Sequence, residues 1–168
     1  MGLPAPRLES VSIATLVARV AQLETRATVT VAAADELILS LDPDQIQQAL
    51  INLVRNAAEA AMSPDARNDG APRVEIGWER TGAEVTIAIV DNGPGLTNAS
   101  NLFVPFYTTK PTGTGIGLVL AQQIAQAHRG TVELSNRTDG VAGCRAELRL
   151  PVVGEVGVLI GAGANKPV

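Results

Sequence analysis

The sequence predicts an α/β domain, because segments with the three- and four-residue periodicity of helices are interspersed with segments that alternate apolar and polar residues. Composition agrees: 46% of the 168 residues are hydrophobic and 18% are charged, so the chain can bury a core. This length fits one domain of ordinary size. We therefore expect one domain over residues 11–151, with a linker over 1–10 and a flexible tail over 152–168.

The first predicted elements are a helix and two strands. Residues 1–10 contain prolines and polar residues, as expected of a linker. Residues 11–23 have the apolar spacing of an amphipathic helix. Residues 28–31 and 36–41 have strand character and are predicted to form a small hairpin.

A long helix is predicted over 45–62, because Asp42-Pro43-Asp44 is a helix-start signal. Aspartate can cap a helix, proline is tolerated in its first turn, and negative charge suits the positive end of the helix dipole. Strands are then predicted over 74–78 and 85–90, with a turn at Thr81-Gly82 that makes them a hairpin.

The last part of the domain begins with a long loop. Residues 91–115 are rich in Gly, Pro, Asn and Thr, and long loops in compact domains are usually functional. A helix over 115–127 and two strands, over 131–134 and 144–150, complete the predicted fold.

Charge and cysteine content exclude several classes of function. The formal net charge of −4, without a basic cluster, argues against nucleic acid as the main partner. Cys144 is the only cysteine, which excludes an intrachain disulfide and a cysteine-rich zinc site and indicates a reducing compartment. No apolar stretch approaches the ~20 residues that span a bilayer. We expect a cytoplasmic domain, compatible with a parent protein anchored in the inner membrane.

Two asparagines lie one turn apart in the long helix. Asn52, Asn56 and Glu59 stack on one side of it, beside its apolar stripe. Asparagine is a poor helix former, and an oxygen ligand for a metal bound to phosphates would explain the pair. Mg²⁺ fits, because it takes few protein ligands and keeps waters. Ordinary hydrogen bonds to a neighbouring strand or loop are the alternative explanation.

A carboxylate stands at the end of a predicted buried strand. Asp91 follows residues 85–90 and could accept a hydrogen bond from the exocyclic amine of adenine. Gly93 and Gly95 would let the backbone come close to a flat base. An ordinary turn is the alternative, since Asn-Gly and Pro-Gly are common turn pairs.

Two further segments could contact phosphate. Residues 113–118, Gly-Thr-Gly-Ile-Gly-Leu, open a helix whose backbone N–H groups would face an anion such as a triphosphate. Residues 103–110 combine aromatic rings with Lys110, as expected of a lid whose lysine reaches phosphate oxygens. Each signal is weak alone: the glycine spacing fits neither a dinucleotide motif nor a P-loop, and residues 103–110 could be a plain surface loop.

Joint occurrence in one order makes these four signals specific. Residues 52–60, Asn-Leu-Val-Arg-Asn-Ala-Ala-Glu-Ala, resemble the N box of histidine kinases. Residues 91–95 resemble the G1 box, 103–110 the F box and 113–118 the G2 box. The resemblance covers about 16–151 and points to the GHKL ATPase superfamily. Within this superfamily, the sequences of the motifs resemble those of the sensor kinases of nitrogen regulation.

The resemblance implies a fold and a function. The fold is a two-layer α/β sandwich, with a mixed sheet covered on one face by about three helices. The function is that of the ATP-binding catalytic domain of a two-component sensor histidine kinase, which binds Mg²⁺ and ATP. It donates the γ-phosphoryl group to a histidine on a separate helical dimerisation/phosphoacceptor domain. Residues 1–10 would then be a linker or the end of that helical domain. The isolated domain is expected to be monomeric and unable to phosphorylate itself, within a homodimeric parent whose indirect partner is a response regulator.

The resemblance also assigns roles to single residues. Asn56 is implied as the Mg²⁺ ligand, Asn52 as a residue that places the metal or its water, and Asp91 as the acceptor for the adenine amine. Asn52, Asn56 and Lys110 form the implied catalytic set. The remaining implied nucleotide contacts include two glycines that border the base, Gly93 and Gly95, and the lid residue Lys110. The others belong to the phosphate-binding segment: Gly113, Thr114, Gly115, Gly117 and Leu118.

The chain departs from the family pattern at two places. Some relatives carry lysine where Glu59 stands, which puts a phosphate contact there in doubt and leaves Arg55 as a substitute. The family often shows Gly-Thr before its last strand, where this chain has Gly143-Cys144, so no ligand role is assigned there. His128, the only histidine, is expected to stabilise a helix end rather than accept phosphate.

Other functions of the same superfamily are kept open. A chaperone, topoisomerase or mismatch-repair ATPase usually carries a carboxylate base where Asn52 stands and continues into a transducer domain, and neither feature is found in this sequence. A serine kinase that binds a sigma factor would transfer phosphate to a protein serine. A catalytically silent module would sense ATP without transferring phosphate.

Overall fold

The computed structural model describes residues 2–96 and 117–152 of the chain. Within these ranges the chain forms three helices and seven strands. In chain order they are β1 (Glu9–Ser12), α1 (Ile13–Leu23), β2 (Thr28–Val31), β3 (Ile38–Leu41), α2 (Pro43–Ala61), β4 (Arg73–Thr81), β5 (Glu84–Asp91), α3 (Gly117–Ala127), β6 (Thr131–Asn136) and β7 (Cys144–Pro151).

A mixed five-stranded sheet forms one layer of the fold. Its strand order is β2-β4-β5-β7-β6. β2 pairs with β4 in parallel, and the other neighbouring strands are antiparallel. β4 and β5 form the predicted hairpin, in which Gly82 has a φ of 64°, a left-handed conformation that favours glycine.

The helices pack on one face of this sheet. Ile87 of β5 and its partner Leu148 of β7 point into that layer, and both are fully buried. Burying a side chain of this size contributes about 1.5–3 kcal/mol. Residues of the opposite register, such as Glu75 and Arg145, lie on the open face. The predicted two-layer α/β sandwich with three helices on one face of a mixed sheet is therefore confirmed.

The predicted hairpin between residues 28–31 and 36–41 is wrong. β2 pairs with β4 instead, and β3 pairs with β1, where Ser10 lies opposite Ser40. Strand character is set by the local sequence. The strand with which it pairs depends instead on which sheet edge allows its apolar side chains to be buried. Here β3 turns Leu39 and Leu41 into the core, at 2% and 1% exposure.

The two N-terminal helices begin at capped positions. α1 begins at Ile13, later than the predicted start at residue 11, because the preceding residues form β1. Ser12 caps it by accepting a hydrogen bond from the Thr15 N–H. α2 is capped as predicted by Asp42, whose Oδ1 accepts from the backbone N–H groups of Asp44 and Gln45.

Residues 9 and 10 of the predicted linker belong to β1, whereas the predicted C-terminal elements agree with the structure where it describes them. The strands predicted over 131–134 and 144–150 are found as β6 and β7, each slightly longer than predicted. The helix predicted over 115–127 is described from Gly117 onward as α3. None of the helices in the described ranges combines the length and the apolar character needed to cross a membrane.

Candidate functional site

The carboxylate of Asp91 lies at the end of β5 and is 4% exposed. Its Oδ1 accepts hydrogen bonds from the backbone N–H of Gly93, at 2.9 Å, and of Cys144, at 3.2 Å. Two backbone donors on one oxygen fix the orientation of the carboxylate. We refer to residues 91–96, which run from this carboxylate to the end of the described range, as the Asp91 segment.

Asn92 anchors the Asp91 segment to the start of β4. Its Oδ1 accepts from the Arg73 N–H at 2.9 Å, and its Nδ2 donates to the Ala71 carbonyl at 3.0 Å. Asn68 Nδ2 donates both to the Asn92 carbonyl, at 3.2 Å, and to the Ala61 carbonyl, at 2.8 Å. Sequence reasoning missed Asn68 and assigned Asn92 no role beyond its motif, since a side chain that bonds a distant backbone has no local sequence signature.

Gly93 brings the Asp91 segment into contact with α2. A Cβ built on Gly93 would lie 2.6 Å from the carbonyl carbon and oxygen of Ala60. Such a distance is far inside van der Waals contact, so only glycine allows this approach. Gly95 has a φ of 91° and lies against Asn136, at a position where a Cβ would be 2.8 Å from Asn136 Oδ1.

The asparagines of α2 lie on the same side of the fold as the Asp91 segment. Gly117, the first residue of α3, lies against Asn52, since its Cβ would be 3.7 Å from the Asn52 Cβ. Asn52, Asn56 and Ala60 are each four residues apart and therefore share one face of α2. Asn56 thus lies between the turn of α2 that contacts the start of α3 and the turn that contacts Gly93.

An arginine from outside the predicted motifs neutralises Glu59. Arg26 Nη1 lies 3.6 Å from Glu59 Oε2, and Arg26 Nη2 lies 2.9 Å from Glu24 Oε1. The hydrogen bond from Arg26 lowers the pKa of Glu24 against the opposing effect of burial, and the charge of Arg55 adds to it. The negative charge of Glu59, next to the asparagine face, is therefore paired with a guanidinium.

Several predicted site residues lie outside the described ranges. These are Lys110 and the whole segment 103–110, together with Gly113, Thr114 and Gly115. Their roles stay predictions. Leu118 is described: its side chain is 9% exposed and packs in the hydrophobic core.

His128 joins two helix ends. Its Nε2 accepts from the backbone N–H of Asp42 at 3.1 Å, and its Nδ1 lies 2.9 Å from the carbonyl oxygen of Ile124. This pattern requires the tautomer with the hydrogen on Nδ1. The ring therefore connects the end of α3 to the start of α2 through hydrogen bonds of the neutral imidazole, and not through a positive charge at the helix end.

Two cavities lined by described residues lie away from the Asp91 carboxylate and Asn56. One, of about 240 Å³, is bordered by the end of α3, by β3 and by Pro6 and Leu8. The other, of about 220 Å³, lies on the open face of the sheet beside Glu75 and Trp78. Neither is lined by Asp91, Asn52 or Asn56.

The sequence matches the model of one protein family. Residues 41–154 match the family described as histidine kinase-, DNA gyrase B- and HSP90-like ATPases. Nitrogen regulation protein NtrY of Azorhizobium caulinodans is 40% identical over 99 residues, which cover 56% of this chain and 13% of that protein. The chain spans 13% of the length of NtrY and 30% of the length of the sensory histidine kinase/phosphatase NtrB.

Solved structures share the fold. The nucleotide-free catalytic domain of histidine kinase ThkA superposes with a TM-score of 0.73 at 25% identity, covering 87% of this chain and 96% of that one. ThkA in complex with response regulator protein TrrA gives 0.69 at 23% identity, covering 87% and 42%. The ATP binding domain of PrrB from Mycobacterium tuberculosis gives 0.68 at 28% identity, covering 87% and 98%.

Proposed function

Because this chain belongs to the family of histidine kinase-, DNA gyrase B- and HSP90-like ATPases, we propose that it is the ATP-binding catalytic domain of a sensor histidine kinase. It binds Mg²⁺ and ATP and donates the γ-phosphoryl group to a histidine on a helical dimerisation/phosphoacceptor domain. The observation that carries this proposal is geometric. The Asp91 segment, the asparagine face of α2 and the first residue of α3 meet on one side of the fold.

Asp91 selects the base. Its carboxylate is buried and held by two backbone N–H groups, so it is presented as a fixed acceptor. Adenine offers an exocyclic N–H donor at the position where guanine offers a carbonyl acceptor. Guanine would therefore set its carbonyl oxygen against the carboxylate oxygen, and two acceptors repel each other. Asp91 therefore favours adenine over guanine nucleotides.

Asn56 would bind the metal, and Asn52 would place the metal or its water. Amide oxygens are ligands of the hard type that Mg²⁺ accepts, and they bring no charge of their own, so the ion is bound together with the phosphates. Among the described residues, Asn52 Oδ1 accepts a long hydrogen bond, 3.5 Å, from Gln48 Nε2. When bound, Mg²⁺ neutralises negative charge on the phosphate oxygens.

The phosphates lie in front of α3. Gly117 starts this helix beside Asn52, so the positive end of the helix dipole faces the metal side of the site. Gly113, Thr114 and Gly115 bind phosphate oxygens through the backbone by the resemblance described above, and Lys110 contacts the γ-phosphate. Phosphoryl transfer requires positioning and charge neutralisation rather than a nucleophile from this domain.

The acceptor is the helical domain of the parent kinase, and a response regulator receives the phosphoryl group from it. The domain acts in the cytoplasm as the catalytic part of a homodimeric parent, and in isolation it is monomeric. The similarity to the sensory histidine kinase/phosphatase NtrB supports the kinase assignment.

Titration with a non-hydrolysable ATP analogue and Mg²⁺ tests the nucleotide site. Binding is expected for the wild type and loss of at least roughly tenfold in affinity for Asp91→Asn, which places an N–H donor against the adenine amine. Asp65→Asn, in an exposed loop, removes the same charge and is expected to bind normally. Equal affinity of Asp91→Asn and wild type would contradict the adenine assignment.

A transfer assay tests the kinase activity. The domain is mixed with helical histidine-containing domains and ATP, and acid-labile phosphate is measured on the partner. Transfer that requires Mg²⁺ and is lost in Asn56→Ala is the expected result. If no candidate receives phosphate although nucleotide binding is intact, the kinase proposal is wrong and the domain is a silent ATP-binding module.

A further inference from the structure

The connection between β6 and β7 lies against the Asp91 segment. We define residues 136–144 as the β6–β7 bracket. At one end of the segment, the Cys144 N–H donates to Asp91 Oδ1 at 3.2 Å, and Arg137 Nη1 donates to the Asp91 carbonyl oxygen at 3.1 Å. Gly143 packs on the same carbonyl so closely that a Cβ there would be 2.0 Å from it. The bracket therefore fixes both the backbone and the carboxylate of Asp91.

The bracket also contacts the other end of the Asp91 segment. The Leu96 N–H donates to Asn136 Oδ1 at 2.6 Å. Gly95 lies against the same oxygen. Asn136 and Arg137, which are adjacent in sequence, thus hold the two ends of one short segment.

The bracket is braced internally. The Arg137 N–H donates to the Gly143 carbonyl at 3.0 Å. The Arg137 guanidinium makes two hydrogen bonds to the Asp139 carboxylate, from Nε at 3.1 Å and from Nη2 at 2.6 Å. Asp139 Oδ1 also accepts from the Val141 N–H at 3.2 Å. A side chain fixed by two bonds loses little further freedom when it also holds Asp91.

We propose that Asn136 and Arg137 are positioning residues for nucleotide binding, because they hold the Asp91 segment in the conformation that accepts the adenine. This inference rests on the proposed function. A carboxylate that is already oriented binds its ligand without a further ordering cost, whereas a loosened one must be ordered on binding. Neither residue belongs to the four motifs recognised in the sequence.

Alanine variants of the two residues test the proposal. Arg137→Ala and Asn136→Ala are expected to weaken binding of a non-hydrolysable ATP analogue with Mg²⁺ by roughly tenfold. Without nucleotide, hydrogen exchange at the Leu96 amide is expected to accelerate by roughly tenfold or more in Asn136→Ala. Arg149→Ala is the matched control, since Arg149 lies on β7 and pairs with Glu133 and Glu147 on the open face.

The outcomes separate this inference from the proposed function. If wild type, Arg149→Ala and both alanine variants bind the analogue equally, the positioning role is wrong and the proposed function stands. If the wild type itself does not bind, the proposed function is wrong, and the positioning role is wrong with it. If the Arg137→Ala chain fails to fold, Arg137→Lys retains one donor and is expected to weaken binding by several-fold; wild-type affinity there would overturn the inference.

Discussion

Gly93 lies against Ala60 at a distance that no other residue could tolerate at position 93. The hypothetical Cβ would be 2.6 Å from the backbone carbon and oxygen of Ala60 and 2.9 Å from its Cβ. Ala60 lies one helical turn after Asn56 on the same face of α2. This contact therefore sets the distance between the proposed adenine end and the proposed metal end of the site.

Gly93→Ala is expected to force the Asp91 segment away from α2. Overpacking of this kind costs typically about 1–3 kcal/mol, so the free energy of unfolding should fall by that amount. Affinity for an ATP analogue should fall by more than roughly tenfold, because Asp91 and Asn56 would no longer be correctly spaced. Urea unfolding and nucleotide titration measure the two effects. Gly77→Ala is the control, since its Cβ would meet Ala32 at an ordinary 3.5 Å.

Gly117→Ala separates binding from folding. A Cβ at this position would meet Asn52 at an ordinary 3.7 Å, and alanine is a better helix residue than glycine, so stability should be unchanged or raised by up to about 1 kcal/mol. Nucleotide affinity should nevertheless fall by roughly tenfold, because the methyl group obstructs the approach of phosphate to the backbone. Titration and thermal unfolding are measured side by side with Gly2→Ala, where the added Cβ meets nothing within 4 Å. Unchanged affinity would remove Gly117 from the phosphate site.

Asp42 makes stability depend on pH. Burial raises the pKa of Asp42, but backbone N–H donors from Arg7, Gln45 and Asp44 outweigh it and lower the pKa below its usual value. A carboxyl with a lowered folded pKa contributes stability above its unfolded pKa, and this contribution is lost as the pH falls through the folded value. The contribution should therefore be complete at neutral pH and begin to be lost as the pH falls below about 4.

Asp42→Asn tests this dependence by urea unfolding at pH 7 and pH 3. At pH 7 the variant should lose about 1–2 kcal/mol, because the amide provides fewer acceptors than the carboxylate. At pH 3 the difference from wild type should shrink. The exposed Asp35→Asn provides a charge-matched control. A difference that is as large at pH 3 as at pH 7 would show that ionisation of Asp42 is not the cause.

His128→Ala is expected to destabilise the fold without changing the proposed nucleotide site. The variant leaves the buried Asp42 N–H without the ring acceptor and removes the bond to the Ile124 carbonyl, at a cost of about 2–3 kcal/mol. Urea unfolding measures this loss, and affinity for the ATP analogue should remain close to wild type in the folded protein. Gln126→Ala, an exposed change on the same helix, is the control. If both variants lose equally little, the bridge from His128 to Asp42 does not contribute.

Local patterns were sufficient for most of the fold. The cap at Asp42 and the hairpin of β4 and β5 could be predicted, because capping residues and turn pairs act over a few positions. The partners of β2 and β3 could not, since both pairings join strands distant in sequence. The choice depends on total burial, which no local window contains.

The candidate site divides in the same way. Asp91, Asn52 and Gly93 could be predicted as site residues because they occur in motifs of fixed order and composition. Arg26, Asn136 and Arg137 were missed, because each acts through one long-range contact. A single arginine or asparagine in a connecting segment is indistinguishable from a solvated one until the fold places it.

The hydrogen bond at position 144 has a consequence for sequence divergence. The atom that reaches Asp91 is the peptide nitrogen of Cys144, not its sulfur. Evolution can therefore exchange the side chain there, as the departure from the usual Gly-Thr pair illustrates, while the carboxylate keeps its donor. Gly143 cannot be exchanged in this way, because any side chain there would clash with the carbonyl oxygen of Asp91. Across descendants of this gene we expect drift at 144 and invariance at 143.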